Sequence, residues 1–121
     1  MAASLLFSIH QWFAWVVVGS NAAAGLWALV AHWREDLRTR SMWLTVAVAQ
    51  GTIGVQVVLG VVVMQNDGRE ATSLHMFYGF IAFATAGVMY SYRNQVEQWR
   101  YLVYGLGGLF LMGLALRSIS V

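Results

Sequence analysis

The chain has 121 residues, of which 60% are apolar or aromatic and only 10% charged, with a formal net charge of +2. Soluble domains carry roughly 25% charged residues and about 45–50% apolar ones, so this composition argues against a water-soluble enzyme, and against a nucleic-acid-binding module, whose basic residues must cluster on a solvated face. With no Cys and every basic residue an Arg, disulfides, thiolate metal sites, cysteine catalysis, Schiff-base lysines and a P-loop lysine are all excluded.

Crossing a bilayer takes about 20 mostly apolar helical residues, and four stretches qualify. The first is 5–31. It lacks a basic leading region and so does not read as an ordinary cleaved signal peptide. A connection over 32–41 carries His32, Trp33, Arg34, Arg38 and Arg40. The second span is 42–64, followed by the loop 65–73, whose Asn66-Asp67-Gly68 favours a turn and whose Thr72 or Ser73 is suited to cap the next helix. The third span is 74–92, and the fourth, 99–116, follows a short connection at 93–98. Short links make neighbouring spans antiparallel. The expected fold is therefore all-α: a single integral membrane four-helix up-and-down bundle over residues 1–121.

Arginine-rich short loops stay on the cytoplasmic side. Arg34, Arg38, Arg40, Arg93 and Arg100 fall in or beside the first and third connections, against Arg69 and Arg117 on the opposite side. Both termini and the 65–73 loop are therefore expected outside. Trp33, Trp43, Tyr92 and Trp99 at the inner ends, and Trp12 and Tyr78 toward the outer ends, fit interfacial aromatic belts. A bacterial cytoplasmic membrane is the expected location.

Within lipid, helices associate through close backbone approach and interhelical hydrogen bonds. Gly25, Gly60, Ala82, Gly105 and Gly108 are among many small residues suited to that. Asn21, Gln50 and Gln56 lie at membrane depth, where an unpaired amide costs several kcal/mol by order of magnitude. They should face the bundle interior, bonded to one another, to a quinone or to a cofactor edge.

His10 in the first span and His75 at the start of the third both fall near the outer face, on helices expected to lie diagonally across the core. Two imidazoles facing across a bundle can supply both axial ligands of a haem iron. Residues four apart on a helix lie about 40° from one another, and at that spacing stand Ala14 after His10 and Gly79 after His75. Asn21 and Gly25, then Ala82 and Ala86, continue the two faces. Each histidine thus heads a stripe of small residues where a flat macrocycle would need room. The bland alternative is a pair of interfacial histidines bonded to backbone, headgroups or water, and His32 reads that way. Two imidazoles without a nearby carboxylate or thiolate make an incomplete site for a bare metal ion. Arg69 and Arg117 are candidates to meet anionic haem propionates, or else are solvated or snorkelling side chains.

The runs Ser8-Ile9-His10 with Ala14 and Gly19, Gln56 to Val63 around Gly60, and Leu74-His75-Met76-Phe77-Tyr78-Gly79 are similar to one four-helix half of the haem A synthase family. Members of that family consist of two such halves, each with a pair of histidines two helices apart on the outer side. The resemblance spans residues 8–92. It implies that His10 and His75 form the axial pair and that Gly60 belongs to the helix turn before the outer loop. In the half that does the chemistry, the family places a Glu shortly before a His that is followed by Arg. Here Phe7-Ser8-Ile9 precede His10 and Gln11 follows it, and a second half is missing, so haem hydroxylation is not expected.

Two functions compete. The first is a small haem b protein that exchanges single electrons with a quinone or a larger respiratory complex, with no independent enzyme activity. The second is a cofactor-free accessory subunit of a respiratory or photosynthetic membrane assembly. A proton-coupled transporter is disfavoured, because all five carboxylates lie in connections, away from the midplane where such proteins need them.

Overall fold

A computed structural model of the protein describes residues 2–121, with side chains from residue 5 onward. It is all-helical: α1 (Ala2–Ala31), α2 (Arg40–Asp67), α3 (Ser73–Ser91) and α4 (Arg100–Ser120), with single 3-10 turns at Glu35–Leu37 and Glu97–Trp99. All four helices are long and apolar enough to cross a membrane.

The helix ends follow local chemistry. Trp27 Nε1 donates to Leu37 O at 2.9 Å, and Arg38 Nε donates to Ala31 O at 2.8 Å, which ties the first connection to the open carbonyl end of α1. Arg34 makes a two-pronged pair with Asp36, and these hydrogen bonds hold the exposed Asp36 carboxyl below its ordinary range. Thr39 caps α2 by accepting from Met42 N, and Thr72 caps α3 by accepting from His75 N. Asn66 and Asp67 belong to the last turn of α2, so that helix runs past residue 64. It ends at Gly68, whose φ of 65° is a left-handed conformation that side chains other than glycine's adopt at a cost.

Buried positions recur in alternating steps of three and four: Val17, Asn21, Ala24, Ala28 and Ala31 on α1; Met42, Val46, Ala49 and Ile53 on α2; Ala82, Ala86 and Met89 on α3; Tyr101, Tyr104, Gly108 and Leu111 on α4. That is the seam of left-handed bundle packing. Trp12, Val48, Phe77 and Phe110 project outward, so the helices are apolar all round, as membrane helices are.

Contacts between helices fix the topology. Gly25 meets Gly108 and Leu29 meets Gly105; Asn21 meets Ala49, and His10 meets Gly60; Gly54 meets Phe83; His75 meets Ser118. Each of these neighbouring pairs is antiparallel, giving an up-and-down arrangement. α1 packs extensively on α2 and α4, and α3 leans on α4 while touching α2 much less.

The two ends of the bundle differ. At the Arg34 end, a Cβ on Gly105 would lie 2.6 Å from Leu29 Cα, and one on Gly108 would lie 2.8 Å from Gly25 Cα, so α1 and α4 run backbone against backbone. Trp43 packs against Tyr101 at a tilt and edge-to-face against Tyr104, and the Tyr104 hydroxyl donates to Met89 O at 3.2 Å. At the histidine end neither α1 before Val17 nor α3 before Ala82 has a buried residue among those described. The helices there stand apart around a cleft.

Asn21, 1% exposed, is part of the closure. Its amide donates to Val17 O at 2.9 Å and across to Ala49 O at 3.2 Å, beside a Ser20–Thr52 hydroxyl pair at 3.4 Å. Interhelical bonds of this kind contribute about 1 kcal/mol. Asn21→Ala is therefore expected to lower the stability of the detergent-solubilised protein by about 1–2 kcal/mol; an unchanged unfolding midpoint would assign the α1–α2 contact wholly to apolar packing.

Candidate functional site

His10 sits on the third turn of α1 and His75 on the first turn of α3, and the two rings face each other across the cleft. Their centroids are 6.1 Å apart and their planes meet at 84°. Metal–imidazole bonds are about 2.0–2.1 Å; adding the distance from each nitrogen to its ring centre, two imidazoles on opposite sides of one metal have centroids about 6 Å apart.

The two rings are held differently. Nδ1 of His75 lies 2.8 Å from Ser118 O and 3.1 Å from Ser118 Oγ on α4. A backbone carbonyl can only accept, so this bond favours a proton on Nδ1 and leaves the Nε2 lone pair available, the usual support of a ligating histidine. His10 has no such carbonyl. Its ring lies against α2 where Gly60 makes room: a Cβ there would come within 3.1 Å of His10 Cε1. Gln56, one turn before Gly60, donates its amide to His10 O at 2.7 Å.

The cleft beside the pair has a volume of about 870 Å³, within the roughly 300–1,000 Å³ typical of ligand and cofactor sites. Ala14, Gly60 and Gly79 line it, and Phe7, Trp15, Met64, Met76 and Phe80 supply apolar walls. A Cβ on Gly79 would meet nothing within 4 Å. A smaller pocket of about 90 Å³ continues from the histidines toward Ala82. No group of three or more His, Cys, Asp or Glu capable of holding a metal ion occurs among the described residues. The donor set is two imidazoles beside an apolar slot, which suits a macrocycle that brings its own equatorial nitrogens better than a bare ion.

Arg69 lines the mouth of the cleft. It pairs with Asp67 at 3.2 Å, and its guanidinium lies 3.8 Å from the centre of the Phe7 ring. Arg117 does not share that place. It is exposed near the end of α4 and absent from the cleft lining, because Leu111, Leu114 and Ser118 hold the face turned inward. The small-residue stripe also proves shorter as a lining than its spacing predicts. Asn21 and Gly25 are used in contacts with α2 and α4, so open space past His10 reaches only about as far as Val17.

Gln50 bonds weakly to Met89 Sδ at 4.0 Å, away from the cleft. Tyr78 packs partly buried against the core and lines the smaller pocket. His32 stacks edge-on against Trp33 at 4.8 Å at the far end. Ser118 escapes sequence reading altogether. The only signal for it is its place four residues after Leu114 on the inward face of α4. Comparison with protein-family models, curated proteins and solved structures gives no match.

Proposed function

We propose that this chain is a small membrane haem b protein that carries single electrons, with His10 and His75 as the axial ligands. The observation that carries the reading is the approach of the two imidazoles beside an apolar cleft, their centroids 6.1 Å apart, a spacing at which both could reach one metal. The resemblance of residues 8–92 to one half of the haem A synthase family points the same way, through the same two histidines.

Bound haem b supplies a one-electron iron couple, tuned by its ligands and surroundings. His10 and His75 would hold the group from its two sides, which would leave its iron no open site for oxygen or substrate. Electron transfer is therefore favoured over oxidation chemistry. Phe7, Trp15, Met64 and Phe80 give the slot apolar walls. Arg69, at its mouth, is suited to meet a propionate in exchange for part of its pairing with Asp67.

The arginine distribution favours an orientation with both termini and the histidine cleft on the outer side, and a bacterial cytoplasmic membrane is the location we propose. Partners on this reading are a quinone or a larger respiratory complex. The test is an oxidised-minus-reduced absorption spectrum of the chain purified in mild detergent with haem supplied. A sharp reduced alpha band at one haem per chain is the expected result. A featureless spectrum from folded protein would overturn the reading in favour of a cofactor-free accessory subunit.

A further inference from the structure

Buried polar atoms without partners are rare in folded proteins and costly within a bilayer. Among the described residues three side-chain atoms are in that state: His10 Nδ1, Gln56 Oε1 and Asp67 Oδ1. Two are oxygens of groups that only accept or are set to accept; the one nitrogen is His10 Nδ1. A neutral imidazole carries one N–H and one lone pair, and a carboxamide oxygen accepts. Orphan donor and orphan acceptor are therefore complementary. They also belong to residues already joined, since Gln56 Nε2 donates to His10 O at 2.7 Å.

We propose that Gln56 is the positioning residue of His10, its carboxamide oxygen accepting from Nδ1–H so that the Nε2 lone pair is left for a ligand in the cleft. It does for His10 what the Ser118 carbonyl does for His75. Gly60 completes the arrangement: with the α2 backbone close to the Cε1 edge, the ring has little freedom to turn once Nδ1 is bonded. The support is asymmetric. His75 is held by a backbone carbonyl that no substitution removes, and His10 by a side chain that mutation can change.

The ligand side of this inference rests on the haem reading; the tautomer side does not. The experiment is therefore nitrogen-15 NMR of histidine-labelled protein without haem, paired with haem titration of the same samples. In the parent protein His10 is expected as the Nδ1–H tautomer. In Gln56→Met, which keeps the side chain's length but removes the carboxamide, that preference is lost while the His75 tautomer is unchanged. Haem affinity falls by about 10- to 100-fold, the usual cost of removing an outer partner of a ligating group, and the midpoint potential rises as His10 becomes a weaker donor. Gln56→Asn, which withdraws the amide by one methylene, is expected to behave alike, so either folded variant decides the matter. A parental His10 tautomer in either folded variant overturns the proposal, whether or not haem binds. Tautomer loss with no haem binding in the parent upholds the positioning role and removes only the haem reading.

Discussion

His10→Ala and His75→Ala are each expected to abolish the six-coordinate haem spectrum. Each substitution removes one imidazole of a pair 6.1 Å apart, and no other His or Cys is at hand to replace it: His32 stands at the opposite end of the bundle, and the chain has no Cys. The loss of haem affinity should exceed the roughly 10–100-fold that follows removal of a mere outer-shell partner. His32→Ala serves as the control and should leave the spectrum intact. Ser118→Ala separates two contributions at His75, because the carbonyl at 2.8 Å survives while the hydroxyl at 3.1 Å is lost; its spectrum should stay close to the parent's. A six-coordinate spectrum that survives in both single histidine variants would remove the pair from the site.

The second large effect concerns the bundle itself. Gly105→Ala places a methyl 2.6 Å from Leu29 Cα, and Gly108→Ala places one 2.8 Å from Gly25 Cα. In both cases the obstruction is backbone, which cannot rotate aside as a side chain can, so α1 and α4 must separate. Overpacking of this kind costs about 1–3 kcal/mol, and a bulkier Leu at either position should prevent stable assembly. Gly113 on the same helix has nothing within 4 Å of an added Cβ. Gly113→Ala is therefore expected to be neutral or to stabilise by up to about 1 kcal/mol, since Gly is a poor helix former. Unfolding in detergent, followed by helicity, measures all three. Equal midpoints for Gly105→Ala and Gly113→Ala would contradict the backbone contact.

These two predictions draw on different amounts of sequence information. Gly25, Gly105 and Gly108 are visible in the chain as small residues fit for packing, but so are Gly19, Gly79 and Gly113, which face open space. Composition cannot separate the two groups, because a glycine looks the same whether it admits a neighbouring backbone or leaves a gap. The histidines show the same division. Their depth and their spacing to Ala14 and Gly79 are readable from helical periodicity, whereas their rotation toward each other depends on how each helix is turned by its neighbours. Arg69 and Arg117 look equivalent by depth; the pairing of Arg69 with Asp67 and the inward turn of Ser118 distinguish them.

Legible in the chain alone are the four apolar helices, their short connections, a Thr72 or Ser73 cap for the third helix, and the shared depth of His10 and His75. These depend on hydropathy and on interactions between near neighbours in the chain. The tertiary structure decided that α1 and α4 close at one end while the helices part at the other, that Asn21 and Gly25 serve packing, and that Gln56, Gly60 and Ser118 surround the two imidazoles. Those outcomes depend on helix rotation and separation, which arise from contacts between residues 28 to 83 positions apart, such as Asn21 with Ala49 and Gly25 with Gly108. Lipid is as apolar as the residues it faces, so no hydrophobic stripe marks the inward side of a membrane helix in advance.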